Sequence, residues 1–229
     1  MDSNLSKKIL SFFKTLKISA RLPKGVDVLN PYKNAEAFEL CRQFFSQYYA
    51  DSNSRKIILG INPGRLGAGL TGIPFTDPIK LKDVCGIYNT LPRKAELSAD
   101  FIYQMINAYG GPSKFYQNFY ISSISPLGFT KEGKNLNYYD DKKLTTQLHP
   151  FILSCLTKQL KFGIETKNVY CLGEGTNYKF LSNLNSEYSF FENIIPLAHP
   201  RFIMQYKRKS INQYIDTYLK AFDYQSGVK

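Results

Sequence analysis

Four short apolar runs, separated by segments with helical spacing, constrain the fold of this chain more than any other feature. The runs cover residues 57–61, 119–124, 168–173 and 190–197. Runs of this length, bounded by turn residues, are typical of buried strands. Helical connections between them favour parallel pairing. We therefore predict an α/β fold, a three-layer αβα sandwich around a central, mainly parallel four-stranded sheet.

Helices are predicted wherever apolar residues recur every three or four positions. These segments are residues 1–16, 33–49, 97–109, 143–162, 175–184 and 208–222. No repeat, low-complexity stretch or linker interrupts the chain. We expect one domain over residues 1–229, with a helical N-terminal extension over about residues 1–50.

The charge of the chain favours a polyanionic partner. It has 30 Lys and Arg against 18 Asp and Glu, a net charge of +12 and a pI near 9.4. Lys and Arg displace condensed counterions from phosphates, so nucleic acid is the natural partner for such a surface. We expect the protein to act as a monomer.

The cysteines indicate neither a metal site nor an oxidising compartment. Cys41, Cys85, Cys155 and Cys171 form no CxxC pair, and none lies near a His at zinc-ligand spacing. We expect no cofactor and no metal. With no leader pattern and no long apolar stretch, we expect no membrane association and a cytoplasmic location, at the nucleoid in a bacterium.

The chemistry should lie where the predicted strands end. Ligands of parallel sheets bind at the carboxyl ends of the strands. The residues there are Asn62-Pro63-Gly64, Ser123 to Pro126, Gly173-Glu174-Gly175 and His199-Pro200.

The first of these strand ends carries a family resemblance. An apolar strand leads into Asn62-Pro63-Gly64, a Gly-rich loop, and then Thr71-Gly72-Ile73-Pro74-Phe75. Over residues 60–75 this order resembles the first active-site motif of the single-strand-selective monofunctional uracil-DNA glycosylases. Ser125-Pro126-Leu127 and His199-Pro200 are similar to the second and last motifs of that family. The resemblance implies a uracil-DNA glycosylase-like domain, which flips a damaged base out of single- or double-stranded DNA and hydrolyses its bond to the sugar.

The resemblance also implies roles for individual residues. Asn62 would hold the attacking water, and Gly64 would let the backbone approach the extruded nucleotide. Phe75 would stack on the base. His199 would donate a hydrogen bond to the base oxygen, where negative charge develops. The other histidine, His149, is interpreted as structural.

The segment after His199 would form a loop that wedges into DNA and binds phosphate. Arg201 and the cluster Lys207, Arg208 and Lys209 are its expected DNA-binding residues. An ordinary solvated start of a helix is the other interpretation of that cluster.

One position departs from the family pattern. The family reads uracil with an Asn three residues before the Pro of the second motif, and that position is Ser123 here. A hydroxyl does not offer the fixed donor and acceptor pair of an amide. We therefore expect uracil as the main substrate, with hypoxanthine and xanthine as further candidates. The cysteine spacing does not resemble the iron–sulfur pattern of other branches.

Three other functions are compatible with parts of the sequence. The Gly-rich loop after residue 63 could serve a nucleotide-dependent enzyme, although GxGxxG and GxxxxGK[ST] are absent. Ser123 or Ser125 with His199 could form a serine-type hydrolase, although no GxSxG elbow is present. A non-catalytic basic DNA-binding module is the third, without a helix-turn-helix or zinc pattern to support it.

Overall fold

The computed structural model describes residues 4–223, and the statements below refer to that part of the chain. The strands are β1 (Val26–Leu29), β2 (Arg55–Gly60), β3 (Phe119–Ser123), β4 (Gly128–Lys131), β5 (Lys134–Leu136), β6 (Ile164–Leu172) and β7 (Asn193–Leu197). The α-helices are α1 (Leu5–Lys14), α2 (Ala35–Tyr48), α3 (Ala68–Thr71), α4 (Pro78–Asp83), α5 (Leu97–Tyr109), α6 (Pro112–Asn118), α7 (Lys142–Leu160), α8 (Thr176–Tyr188), α9 (Pro200–Tyr206) and α10 (Ile211–Asp223). Short 3-10 helices span Pro31–Lys33 and Arg208–Ser210.

A parallel sheet with the strand order β3-β2-β6-β7 forms the centre of the fold. Every residue of β3 and the last five residues of β6 are buried. Successive side chains of a strand point to opposite faces, so burial of consecutive residues means that both faces are covered. The predicted α/β fold with a central four-stranded parallel sheet is confirmed.

Several elements differ in their boundaries from the prediction, among them β6, α8 and β7, which begins at Asn193 rather than at residue 190. β6 begins at Ile164, where it pairs with Arg55, whereas the apolar run begins at residue 168. Residues 165–167 are exposed, so backbone pairing extends the strand without an apolar signal. Helix α8 likewise continues past residue 184 to Tyr188, and it ends where Ser189 adopts a left-handed backbone with φ of 52°.

A second sheet, antiparallel with the order β1-β4-β5, lies outside every predicted strand. Its strands are three or four residues long and largely exposed, so no apolar run marks them. Glu132 and Gly133, with φ of 51° and 71°, form the turn between β4 and β5. This sheet packs against the turn after β2. The approach is so close that a side-chain carbon on Gly128 would overlap with the carbonyl oxygen of Pro63.

The N-terminal helices pack onto the same apolar core as the central sheet. Asn4 begins α1 by accepting a hydrogen bond from the backbone N–H of Lys7 at 3.0 Å. Phe13 of α1 stacks on Tyr32, with ring centroids 4.2 Å apart, and also contacts Phe45 of α2. Residues 1–3 of the predicted first helix lie outside the described residues. The division into one domain with an N-terminal extension stays a prediction.

Most of the large aromatic side chains fill the interior rather than the surface. Tyr49, Tyr103, Tyr116, Tyr120, Tyr138, Tyr170 and Tyr218 are among the largest fully buried side chains. The described aromatic side chains with substantial exposure are Tyr88, Tyr188, Phe202 and Tyr206. Across residues 4–223, no helix combines the length and the apolar character needed to cross a bilayer.

Candidate active site

The carboxyl ends of the parallel strands surround a pocket with a cavity of about 90 Å³. Asn62 and Gly64 enter it from the turn after β2, Ser123 from the end of β3, and His199 from the end of β7. Phe75 lines it from the loop between α3 and α4. The predicted catalytic and base-binding residues therefore meet in one place, while their individual roles stay predictions.

Backbone groups at and after β5 orient the side chain of Asn62. Its Oδ1 accepts a hydrogen bond from the N–H of Tyr138 at 3.0 Å, and its Nδ2 donates to the carbonyl of Leu136 at 3.3 Å. One partner can only donate and the other can only accept, so the two together fix which way the amide faces. Since Oδ1 has two lone pairs, it can also accept a hydrogen bond from a water molecule.

The ring of Phe75 lies directly against the end of β2. A side-chain carbon on Gly60 would lie 2.7 Å from this ring, so the close approach depends on glycine. The backbone of Phe75 has a φ of 52°, a conformation that costs a bulky residue about 1–3 kcal/mol. The ring centroid lies 6.2 Å from that of His199. The fold thus holds an aromatic ring beside the pocket at the expense of local strain.

His199 begins helix α9 and is held in one tautomer. Its Nδ1 accepts a hydrogen bond from the backbone N–H of Arg201 at 3.2 Å. A nitrogen that accepts carries no proton, so the neutral ring carries its proton on Nε2. Burial, with a smaller contribution from the Arg201 guanidinium, lowers the pKa of His199 to about 4. At neutral pH the residue is an uncharged donor beside the pocket.

Ser123 is buried at the last position of β3 and lines the pocket. Its Oγ would lie 3.5 Å from a side-chain carbon on Gly60. Among the described residues, no hydrogen bond of this hydroxyl is found. The hydroxyl is therefore available to a ligand at the position where the resembled family has an Asn.

The segment after His199 is a helix, and the predicted loop over residues 201–209 is wrong for its first six residues. Pro200 occupies the first turn of α9, where a missing N–H costs nothing, and His199 supplies the cap. Arg201 lines the pocket and the groove beside it. Lys207, Arg208 and Lys209 follow α9, are exposed, and do not line the pocket.

Helix α9 divides its side chains between core and solvent. Ile203 and Met204 are buried and anchor the helix. Phe202 and Tyr206, one turn apart, are 43% and 66% exposed, with ring centroids 5.6 Å apart. Both line the groove that adjoins the pocket. They form an exposed aromatic pair. The apolar and basic composition of residues 201–209 predicts a segment that contacts DNA, but it does not identify these two residues.

Four further polar residues line the pocket without having been predicted, namely Glu96, Ser98, Asn135 and Asn137. Glu96 and Ser98 belong to the start of α5, and no sequence signal places them beside the turn after β2. Asn135 and Asn137 come from β5 and the residues after it. The sequence signal for these two residues is the Glu-Gly pair at 132–133. Such a pair favours a two-residue hairpin loop, and therefore a short strand on each side of it.

Metal ligands are not grouped anywhere in the described part of the chain. Over those residues, no cluster of three or more His, Cys, Asp or Glu side chains could hold an ion. All four cysteines are free thiols and buried. Burial raises the pKa of Cys171 and of Cys155 to about 12, which keeps these thiols protonated.

Comparison with known proteins agrees with the fold. The family model of the uracil DNA glycosylase superfamily matches residues 46–223, and the chain belongs to that superfamily. No curated protein matched the chain significantly in sequence. Among solved structures, the crystal structure of wild-type SMUG2 from Pedobacter heparinus is 46% identical, with a TM-score of 0.97. The match covers 99% of this chain and 100% of that chain. Together these similarities support a uracil-DNA glycosylase function.

Proposed function

We propose that the protein is a monofunctional DNA glycosylase that removes deaminated bases in base excision repair. Uracil is its main substrate, with hypoxanthine and xanthine as further substrates. The observation that carries the proposal is the pairing of an oriented amide, Asn62, with a neutral imidazole donor, His199, across one pocket at the carboxyl edge of the sheet.

Hydrolysis of a glycosidic bond moves charge in two directions. The sugar becomes positive as the bond breaks, and the departing base becomes negative. Asn62 Oδ1 accepts a hydrogen bond from the water and places its oxygen for attack on the sugar carbon. The Nε2–H of His199 donates to the base oxygen that gains negative charge, and such a donor is worth about 2.7–4 kcal/mol in acyl transfer. Phe75 stacks on the extruded base and offsets part of the cost of extrusion.

The pocket composition supports a monofunctional reaction. No lysine is among the described residues that line it. A glycosylase that also cleaves the strand needs an amine nucleophile to form a Schiff base with the sugar. Water is therefore the nucleophile, and an abasic site is the product.

The hydrogen bonds of the pocket argue against a serine-type hydrolase. Ser125 is fully buried, and its Oγ donates to the carbonyl of Leu127 at 2.7 Å. His199 Nδ1 accepts from a backbone N–H, whereas a triad needs that nitrogen to donate to a carboxylate. Among the described residues, neither Ser123 nor Ser125 is hydrogen-bonded to His199, so no such triad is in place.

The test is base release from oligonucleotides that carry one uracil, hypoxanthine or xanthine, in single strands and in duplexes. Alkali then cleaves any abasic site. We expect cleavage after alkali and none before it. Asn62→Ala should lower the single-turnover rate by about a hundredfold or more, because a misplaced nucleophile costs that much. Its thermal unfolding and DNA affinity should stay near those of the wild type. Release by Asn62→Ala within about threefold of the wild type would remove the basis of the assignment.

A further inference from the structure

A carboxyl group lies in the pocket of a protein whose substrate is a polyanion. Glu96 is the one acidic side chain among the described residues that line the pocket. A carboxylate repels the phosphates of DNA, so its presence there opposes binding. The neighbouring Asp77 has a structural role, because its two carboxylate oxygens accept hydrogen bonds from the backbone N–H groups of Lys80 and Glu96, at 2.7 Å and 2.9 Å. Among the described residues, no backbone N–H group is found to donate to the carboxyl of Glu96.

The position of Glu96 directs its side chain away from a helix-capping role. It is the residue before α5, yet it makes no side-chain hydrogen bond to that helix terminus as a cap. Its carboxyl lies instead along the loop that follows Asn62. A side-chain carbon on Gly67 would overlap with this carboxyl, and one on Gly64 would lie 3.9 Å from Oε1. Glycine at position 67 therefore leaves room for the carboxyl on the side of the pocket formed by the Asn62 turn.

The surroundings of Glu96 make its charge sensitive to pH near neutrality. Burial, the largest influence, raises its pKa to about 7; the charges of Asp77 and Asp100 act in the same direction. A hydrogen bond with Ser98 and the charge of Arg201 oppose them. Asp100 is itself paired with Lys80, whose Nζ lies 2.7 Å from Asp100 Oδ1. Glu96 thus exchanges its proton near neutral pH.

We propose that Glu96, in its ionised form, is a third catalytic group of this site, facing the positive charge on the sugar and accepting the proton of the attacking water. The inference rests on the proposed glycosylase function. The bond from C1′ to the base nitrogen breaks, and its electron pair leaves with the base. The water oxygen bonds to C1′, and its proton passes to the Glu96 carboxylate and then to solvent. The base anion, stabilised by His199, takes up a proton from solvent.

This role completes the charge pattern that the reaction requires. Glycosidases pair a group for the leaving side with a carboxylate for the cationic sugar. Here His199 faces the leaving base, while Asn62, an uncharged amide, can place water but cannot take its proton. Glu96 supplies the missing negative charge and the proton acceptor.

The test is the pH dependence of single-turnover uracil release from a single-stranded oligonucleotide, between about pH 5 and 9. We expect the rate to rise about tenfold per pH unit and to level off at or above about pH 7. Asn62 does not titrate, and His199, with a pKa of about 4, stays neutral over this range. Glu96→Gln keeps the side-chain volume and should lower the plateau rate by about a hundredfold or more, with a flat profile.

Two further variants separate catalysis from folding. Glu96→Asp keeps the carboxylate and should keep a rising profile. Asp100→Asn removes a charge that raises the Glu96 pKa, so its profile should shift to lower pH with a similar plateau. A rate that falls above pH 7, or a Glu96→Gln plateau within about threefold of the wild type, would overturn the inference while leaving the glycosylase assignment intact. A wild-type protein that releases no base at any pH would overturn the proposed function itself, and the inference with it.

Discussion

Two side chains of the pocket, Asn62 and His199, use one polar group to hold their position and keep another for the ligand. Asn62 engages Tyr138 and Leu136 and retains a lone pair on Oδ1. His199 engages the backbone at Nδ1 and retains the Nε2 proton. A site that is fixed before the substrate arrives needs little reorganisation when charge develops, and such preorganisation is the main source of electrostatic catalysis. Ser123 differs, because its hydroxyl can rotate between donor and acceptor roles.

That freedom leads to a prediction about base preference. Uracil presents an N3–H donor beside its O4 acceptor, and an Asn amide matches this pair, whereas a serine hydroxyl rejects few patterns. Ser123→Asn should therefore raise the ratio of uracil to hypoxanthine and xanthine release. The same three bases in otherwise identical oligonucleotides give this ratio from single-turnover rates. Because Ser123 is buried, thermal unfolding of the variant must accompany the measurement. An unchanged ratio in a folded variant would mean that another residue reads the base.

At the level of elements, helix α9 contributes more to the site than its sequence indicates. Its residues 203 and 204 tie it to the core, while Phe202 and Tyr206 stay on the surface beside the groove. Exposed aromatic side chains at neighbouring positions of a helix have no packing role to explain them. We expect them to fill the gap left in the base stack when the damaged base is extruded.

This role predicts an effect that depends on the DNA. Replacing both Phe202 and Tyr206 by Ala should slow uracil release from duplex DNA by about tenfold or more, because extrusion from a paired stack costs a few kcal/mol. Release from a single strand should fall less, since there is less stacking and pairing to replace. Tyr88→Ala, which removes a 70% exposed aromatic side chain that lines neither the pocket nor the groove, is the matched control. Equal losses on both substrates would contradict the wedge role.

The elements that could be predicted are those whose buried residues form an apolar pattern in the sequence. The mostly exposed elements have no such pattern and could not be predicted. The cores of β2, β3 and β6 are apolar because both faces of the sheet are covered, so they appear as runs. The hairpin β4–β5 is mostly exposed and is held by backbone hydrogen bonds, which every sequence can make. Asn62 and His199 could be singled out because they end predicted strands. Glu96 could not, since only the folded chain brings the start of α5 beside the turn after β2.

On the scale of the whole molecule, groups of basic side chains lie at both edges of the sheet. Helix α7 runs from Lys142 beside the second sheet to Leu160, just before β6 begins. Its last turn and the first turns of α1 therefore lie at the edge opposite the pocket. There Lys7, Lys8, Lys158 and Lys161 line a groove. The cluster Lys207–Lys209 lies on the pocket side, after α9.

A salt titration can separate these two surfaces. Replacing Lys207, Arg208 and Lys209 by Ala should weaken binding to a short oligonucleotide and flatten the dependence of log affinity on log salt. Each phosphate contact contributes about −0.9 to that slope on duplex DNA and about −0.7 on a single strand. The control replaces Lys7, Lys158 and Lys161, which removes the same charge from the far edge and should leave the slope nearly unchanged. Equal flattening by the two triple variants would show that net charge, rather than a local phosphate contact, governs binding.

The hold of β5 on Asn62 has a consequence for how this protein can vary. The groups that aim the amide are a carbonyl at Leu136 and an N–H at Tyr138, both of which belong to the main chain. A substitution at position 136 changes the side chain and leaves the carbonyl in place. At position 138, only proline removes the N–H. The orientation of the Asn62 amide therefore depends on two main-chain groups and not on the identity of the side chains at these positions.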